Sequence, residues 1–553
     1  MKQIRKGLLI TGVMITLMLF SCRSGIQTAG LVVTHARIWT GNPDQPFAEA
    51  MAIGEDTLMA VGSNEEILRM KGDTTREVNL EGHFVVPGFI DSHVHFFEGG
   101  FNLSSVQLRD VTSREEFIRK IADYAGTIKP GTWILGGDWD HTNWGGDLPE
   151  RGWIDRVTPD HPVFINRLDG HMALANSLAM KLAGIGEDVR DVSGGTIVRD
   201  AAGKPTGIFK DNAMSLITVK IPPPTDEQAD QALTAAMNFV ASKGVTSVHH
   251  MSGYLDALER AREKHRMITR VYCMVPIENL SFLKGKTITQ GKGDKWLKTG
   301  GVKGFVDGSL GSHTAAFLVP YTDSPADSGF FVNTGDDLYN WTLKADSEGF
   351  QVVIHAIGDR AVRYLLDMYD SVAAVNGPRD RRFRIEHAQH LAPGDVARFA
   401  KSGIIASMQP YHCIDDGRWA EKLVGPERIK DMYVFKSLFD SGATVAFGSD
   451  WYVAPPTPLE GIYGAVTRRT LDDKNPGGWI PEQKITVEQA LKAYTLNGAY
   501  ASFEENIKGS LEPGKLADFV VISEDLLRID PARIRDAHIL QTWVGGEKVF
   551  EKE

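Results

Sequence analysis

The sequence predicts an α/β protein: a (β/α)8 barrel (a TIM barrel) with a metal site, plus a small β-sandwich built from both chain ends. Three observations point there. Apolar, strand-like runs alternate with helical patterns through the middle of the 553-residue chain. Several of those runs end in His, Lys or Asp, where an α/β barrel places its reactive groups. Short β-rich segments flank this middle on both sides.

The N-terminus carries a separate signal. Lys2, Arg5 and Lys6 precede an apolar stretch from Gly7 to Phe20, the charged start and short apolar core of a secretory signal. The stretch is too short to span a bilayer comfortably. It closes on Leu19-Phe20-Ser21-Cys22, which resembles a bacterial lipobox. Residues 1–21 are therefore expected to be a lipoprotein signal peptide, with Cys22 lipidated. The mature protein is expected to be exported and anchored to a membrane, on its periplasmic or cell-surface side. Buried acyl chain contributes ~0.8 kcal/mol per CH₂, so several chains would hold it stably. Residues 23–30 read as a tether.

Beyond the tether, Leu31–Thr34, Ala50–Gly54 and Leu58–Gly62 have strand character, as do Ala517–Ile522 and Ile539–Phe550. Residues 31–83 and 507–553 are expected to form the composite β-sandwich, and residues 84–506 the barrel. Its strands are predicted at Phe84–Asp91, Val245–His249, Arg270–Val275, Val302–Val306, Gln351–His355, Phe383–His387, Ile404–Met408 and Thr444–Phe447. Among the helices, Asp226 to Ser242 repeats Ala229, Leu233, Ala236 and Phe239 at helical spacing. Over a hundred residues separate the first two strands, which predicts an inserted subdomain at about 100–225 that walls or lids the site. Its Trp133, Trp139, Trp144 and Trp153 are expected mainly to pack the insertion's own core.

Composition narrows the function. A formal net charge of −11, with no basic run, argues against a nucleic-acid partner. Apart from Cys22 the cysteines are Cys273 and Cys413, which are expected to be free, buried thiols. The partner is expected to be a small-molecule substrate, and the sequence leaves oligomeric state open.

The chemistry gathers at the strand ends. His93 and His95, spaced i, i+2, share one face of a strand and can grip one metal ion. Lys303 lies inside an apolar strand, where a charge is costly unless neutralised or paired. His355 and His387 end strands five and six, and Asp450 follows strand eight. Each alone reads equally well as a satisfied core or loop residue; the ordered set does not.

That set is similar to the amidohydrolase superfamily, and to its family 3 branch that includes N-substituted formamide deformylases. The resemblance rests on Pro87-Gly88-Phe89-Ile90-Asp91-Ser92-His93-Val94-His95, Gly308-Ser309-Leu310-Gly311-Ser312, His355-Ala356-Ile357-Gly358-Asp359, Glu386-His387-Ala388-Gln389 and Gly448-Ser449-Asp450-Trp451. It implies that His93, His95 and Asp450 hold one divalent metal and that His355 and His387 hold a second. Lys303 would bridge the two as a carbamate formed with CO₂. Zn²⁺ suits such ligands best, with Fe, Mn or Co open and the number of ions either one or two. The implied reaction is hydrolysis of an amide-type C–N bond other than a peptide bond, in an N-acyl or N-formyl amine-like molecule. A metal-activated water would attack, Asp450 would act as base, and His355 would help the metal stabilise the oxyanion. The same site could instead serve deamination, ester hydrolysis or isomerisation, and a silent binding lipoprotein is the alternative outside enzymes.

Other candidates are His171, in the insertion, and His412, after strand seven, both placed to contact substrate. Of His249 and His250, one is expected to face the barrel interior and the other the helices. Gly308–Gly311 lacks the helix and Lys of a phosphate loop and reads as a flexible strand-four loop.

Overall fold

A computed structural model describes residues 28–285, 291–333 and 335–553. The expected signal peptide and Cys22 lie outside the described residues. Among the described residues no helix is long and apolar enough to cross a membrane.

Eight parallel strands form the centre: β1 (Phe89–Val94), β2 (Val245–His250), β3 (Arg270–Pro276), β4 (Leu297–Phe305), β5 (Gln351–Ala356), β6 (Arg384–His387), β7 (Ile405–Met408) and β8 (Val445–Phe447). Each pairs with the next in sequence order. The ring closes just past β8, where the Asp450 amide donates to the His93 carbonyl at 2.7 Å and the His95 amide to the Trp451 carbonyl at 2.6 Å. This is the expected α/β barrel. Every residue of β1, β2 and β5 is buried, as strands covered on both faces require. The helix Asp226–Ala241 opens on a capping box between Thr225 and Gln228. It buries Ala229, Leu233, Ala236 and Val240 against the barrel, while Phe239 is only partly buried.

The predicted first strand, Phe84–Asp91, is in fact two. Phe84–Pro87 runs antiparallel to Phe519–Ile522 and parallel to Arg37–Trp39, outside the barrel. The chain then turns inward through Gly88. A Cβ there would lie 2.2 Å from the Thr246 hydroxyl, so only glycine lets β1 approach β2 at this point. One continuous apolar run thus feeds two sheets.

The terminal strands form a four-stranded and a six-stranded sheet. Val33, Ile38 and Met51 from the N-terminal segment meet Val85, Phe519 and Trp543 in one apolar cluster between them. A buried ion pair ties this unit to the barrel: Arg270 on β3 donates to both oxygens of Asp518, at 2.7 and 2.8 Å.

Between β1 and β2 lies a separate six-stranded sheet, from Val106–Gln107 to Pro205–Asp211. Apolar clusters cover it. Trp139, Trp144 and Trp153 belong to one and Trp133 packs on another, the packing role expected of them. Cys273 and Cys413 are free and buried.

Candidate active site

At the C-terminal end of β1, His93 and His95 turn their Nε2 atoms to the same carboxylate oxygen, Asp450 Oδ1, each at 3.3 Å. The β1–β8 closure places Asp450 there, and Asp450 itself takes a left-handed backbone conformation at φ +63°. The opposite ring nitrogens are occupied. His93 Nδ1 lies 2.5 Å from Glu386 Oε2, and His95 Nδ1 lies 2.7 Å from the Ser252 hydroxyl. A ring whose Nδ1–H is held by an oxygen presents a lone pair at Nε2, the form that ligates metal.

A second group shares Asp450. His387, His412 and Asp450 bring one donor atom each within 4.8 Å of one another, as His93, His95 and Asp450 do. His412, expected at the substrate, lines the cleft and stands stacked on His387, rings 6.3 Å apart. His355, expected as a ligand, lines the same cleft; its Nε2 lies 3.0 Å from the Gly308 carbonyl, which leaves Nδ1 to carry the lone pair. Its ring adjoins that of His387, at 4.5 Å. Lys303 sits buried in β4 with no hydrogen-bond partner on Nζ, which lies 4.5 Å from the Phe305 ring centre.

A profile of the amidohydrolase family matches residues 76–550. The chain belongs to the amidohydrolase family. It is 43% identical to the Arabidopsis thaliana protein LONG AFTER FAR-RED 3, over 94% of this chain and 92% of that one. It is 32% identical to the putative amidohydrolase YtcJ of Bacillus subtilis, over 93% and 98%, and 26% identical to the N-substituted formamide deformylase of Arthrobacter pascens, over 95% and 99%. Among solved structures, a metal-dependent hydrolase from Pyrococcus horikoshii, described as uncharacterized, superposes with a TM-score of 0.75 at 29% identity. That alignment covers 91% of this chain and 99% of the other.

The electrostatics of this amidohydrolase suit metal ligation. Burial, aided by the neighbouring Lys303, holds His93 well below the usual imidazole range; burial and the adjoining His355 do the same for His387. Both rings are neutral at pH 7. Burial opposes charge on Asp450, but His93 and His95 outweigh it and keep the carboxyl well below its ordinary range. Burial pushes the Lys303 ammonium down to about 8, against the pull of Glu386 and Asp450.

The supports beneath the site were not assigned roles from the sequence. Arg384 donates to Glu386 at 2.8 Å and to Ser407 at 3.0 Å, and it adjoins His249 Nδ1 at 2.9 Å. It thereby orients the carboxylate that grips His93. The signal was present: Arg384 and Glu386 are i, i+2 on β6 and must share a face. Asp91 accepts from the Ser449 amide and hydroxyl, at 2.8 and 2.5 Å, and so stitches β1 to the β8 end. Burial pushes its carboxyl up to about 7. His249 faces the barrel interior, and His250 accepts from the Phe96 amide at 3.0 Å on the helix side, as expected of the pair.

The insertion supplies one wall of the cleft. His171 lines it, with Nδ1 2.6 Å from Asp211 and its ring 5.0 Å from that of His355. Asp169 accepts from Arg167, Ser309 and Ser312 at 2.7, 2.5 and 2.8 Å. The loop Gly308–Ser312, read as flexible from its glycines, is therefore pinned from above by the insertion.

Proposed function

We propose that this amidohydrolase hydrolyses an amide-type C–N bond in an N-acyl or N-formyl amine-like small molecule, using a divalent metal held around Asp450. One observation carries the reading. His93 Nε2, His387 Nδ1, His412 Nε2 and Lys303 Nζ are all buried without a hydrogen-bond partner, and all but the lysine belong to the two groups centred on Asp450. A buried orphan polar atom costs about 1–3 kcal/mol; a cation would satisfy the three imidazole nitrogens, and addition of CO₂ to the neutral amine would turn the lysine into an anionic ligand for it. Neutral imidazoles and an ionised carboxylate fit Zn²⁺ in particular.

His93, His95 and Asp450 would hold one ion. His387, with His355 through Nδ1 and His412 beside it, would hold a second, and Lys303 as a carbamate formed with CO₂ would add anionic oxygen ligands. Bound metal supplies a coordinated water with its pKa lowered toward ~7 and polarises a carbonyl. Asp450 takes the proton of the attacking water and returns it to the leaving nitrogen. His171 meets Asp211 through Nδ1; burial disfavours the charged ring, but that carboxylate outweighs burial and raises the ring's pKa. In its protonated form His171 would have Nε2–H left to donate to the carbonyl oxygen as negative charge develops there. His355 spends its Nε2 on Gly308, so we assign the oxyanion contact to His171 rather than to His355. The full-length similarity to an N-substituted formamide deformylase supports the choice of an amide over an ester.

Elemental analysis should find roughly one or two divalent ions per chain, and activity on N-substituted formamides and N-acyl amines should vanish with the metal. His95→Ala should lose both together. Asp450→Asn should lower kcat by about 10²-fold or more with the fold intact. Full activity after exhaustive chelation, or turnover of esters or aminopurines but no amide, sinks the proposal.

A further inference from the structure

A second cavity, of about 540 Å³, is lined in part by Tyr452 and shares no lining residue with the metal-donor cleft. The helix after β1, the insertion and the Pro222–Pro224 turn enclose it. Phe101, Trp133, Tyr254 and Tyr452 form its walls, each of them half-buried. The volume falls within the range of small-molecule sites, roughly 300–1,000 Å³.

Its electrostatics are one-sided. Glu98 is the one charged side chain among the described residues that line it, and no Lys, Arg or His faces it across the cavity. Nearby polar groups are already engaged: Asn102 and Asn166 both donate to Asp138, at 2.8 and 2.7 Å. Glu98 Oε2 has no hydrogen-bond partner, and burial raises the carboxyl above its ordinary range. The Ser252 hydroxyl that serves Glu98 is the one that holds His95 Nδ1.

We propose that this cavity binds a small organic cation, a protonated amine carried on an apolar or aromatic body. The aromatic faces attract a cation through their quadrupoles, and Glu98, the one acid in the lining, adds its attraction for an ammonium held in the cavity. A neutral apolar molecule fills the same volume without that attraction, and an anion is repelled. The ligand would sit one hydrogen-bonded residue away from His95. The inference stands on this cavity and not on the reaction proposed above, because binding alone tests it.

Calorimetry and tryptophan fluorescence on the full chain, with benzylammonium as the probe and benzyl alcohol and benzoate beside it, give that test. The ammonium should bind saturably, about tenfold or more tighter than the alcohol, with no benzoate binding. Glu98→Gln should weaken the ammonium about tenfold, and Trp133→Leu about threefold or more. Trp133 lines this cavity and not the metal-donor cleft, so its effect locates the ligand even if the Glu98 variant fails to fold. Equal affinity for alcohol and ammonium overturns the proposal, as does ammonium binding that neither substitution weakens.

Discussion

Asp416 in the cleft wall carries a carboxyl whose surroundings favour the acid over the anion. Tyr433 and Gln389 donate to its Oδ2 at 2.6 and 2.8 Å, yet burial dominates and pushes the group up to about 8. Its folded pKa lies above its unfolded value, so between pH ~4 and ~8 the native state holds a proton that the unfolded chain has released. This group's contribution to stability is therefore present at acid pH and is lost as pH rises through that window. Asp416→Asn should flatten the fall, gaining about 1 kcal/mol or more over wild type at pH 8.5 relative to pH 5. Denaturant melts at the two pH values measure it; parallel shifts for both proteins would show that Asp416 is ionised throughout. Such a group is invisible in the sequence, where Asp415-Asp416 reads as an ordinary solvated pair. His93 and His95 were legible by contrast, because their spacing on a strand fixes their common face whatever else packs around them.

The elements show where periodicity stops informing. Strands β2 to β8 lie close to the apolar runs that announced them, since a strand buried on both faces must be apolar along its length. The break at Pro87-Gly88 was hidden, because both halves of Phe84–Val94 are buried in different sheets and read as one run. Arg270 and Asp518 were equally hidden: 248 residues apart, they meet only when β3 docks against the terminal strands. Both are buried, and Asp518 also accepts from the Gly545 amide at 2.8 Å. Asp518→Asn leaves the guanidinium uncompensated in a dry contact and should cost about 3–5 kcal/mol. A shift in the urea midpoint at unchanged slope checks this. A loss below about 1 kcal/mol would mean that water reaches the pair.

At the scale of the whole molecule, the chain is a barrel whose site is finished by parts from elsewhere. The insertion brings His171, Asp211 and Asp169 over the C-terminal end, and the chain termini brace the barrel through Asp518. We propose that this enzyme works outside the cytoplasm on a lipid tether. Lys2, Arg5 and Lys6 ahead of the Gly7–Phe20 apolar run, and Ser21 directly before Cys22, motivate the proposal. Cys22→Ala should block lipid attachment with activity unchanged, since Cys22 precedes in sequence every residue placed in the site. Intact mass should show that the wild-type chain begins at an acylated Cys22. Recovery of wild-type protein in the cytoplasm with Met1–Cys22 retained would refute both export and anchoring.

The sequence by itself determined the α/β barrel and the family, and it singled out the residues on β1, β6 and after β8 that the structure gathers around Asp450. Those follow from periods of two and from polar residues that apolar strands would otherwise not carry to their ends. Only the tertiary structure showed that His412 comes within reach of His387 and Asp450, and that Glu386, carried by Arg384, orients His93. Those choices depend on which way each ring turns among neighbours from other strands. A period along one strand fixes the face of a side chain, but not what meets it across the barrel.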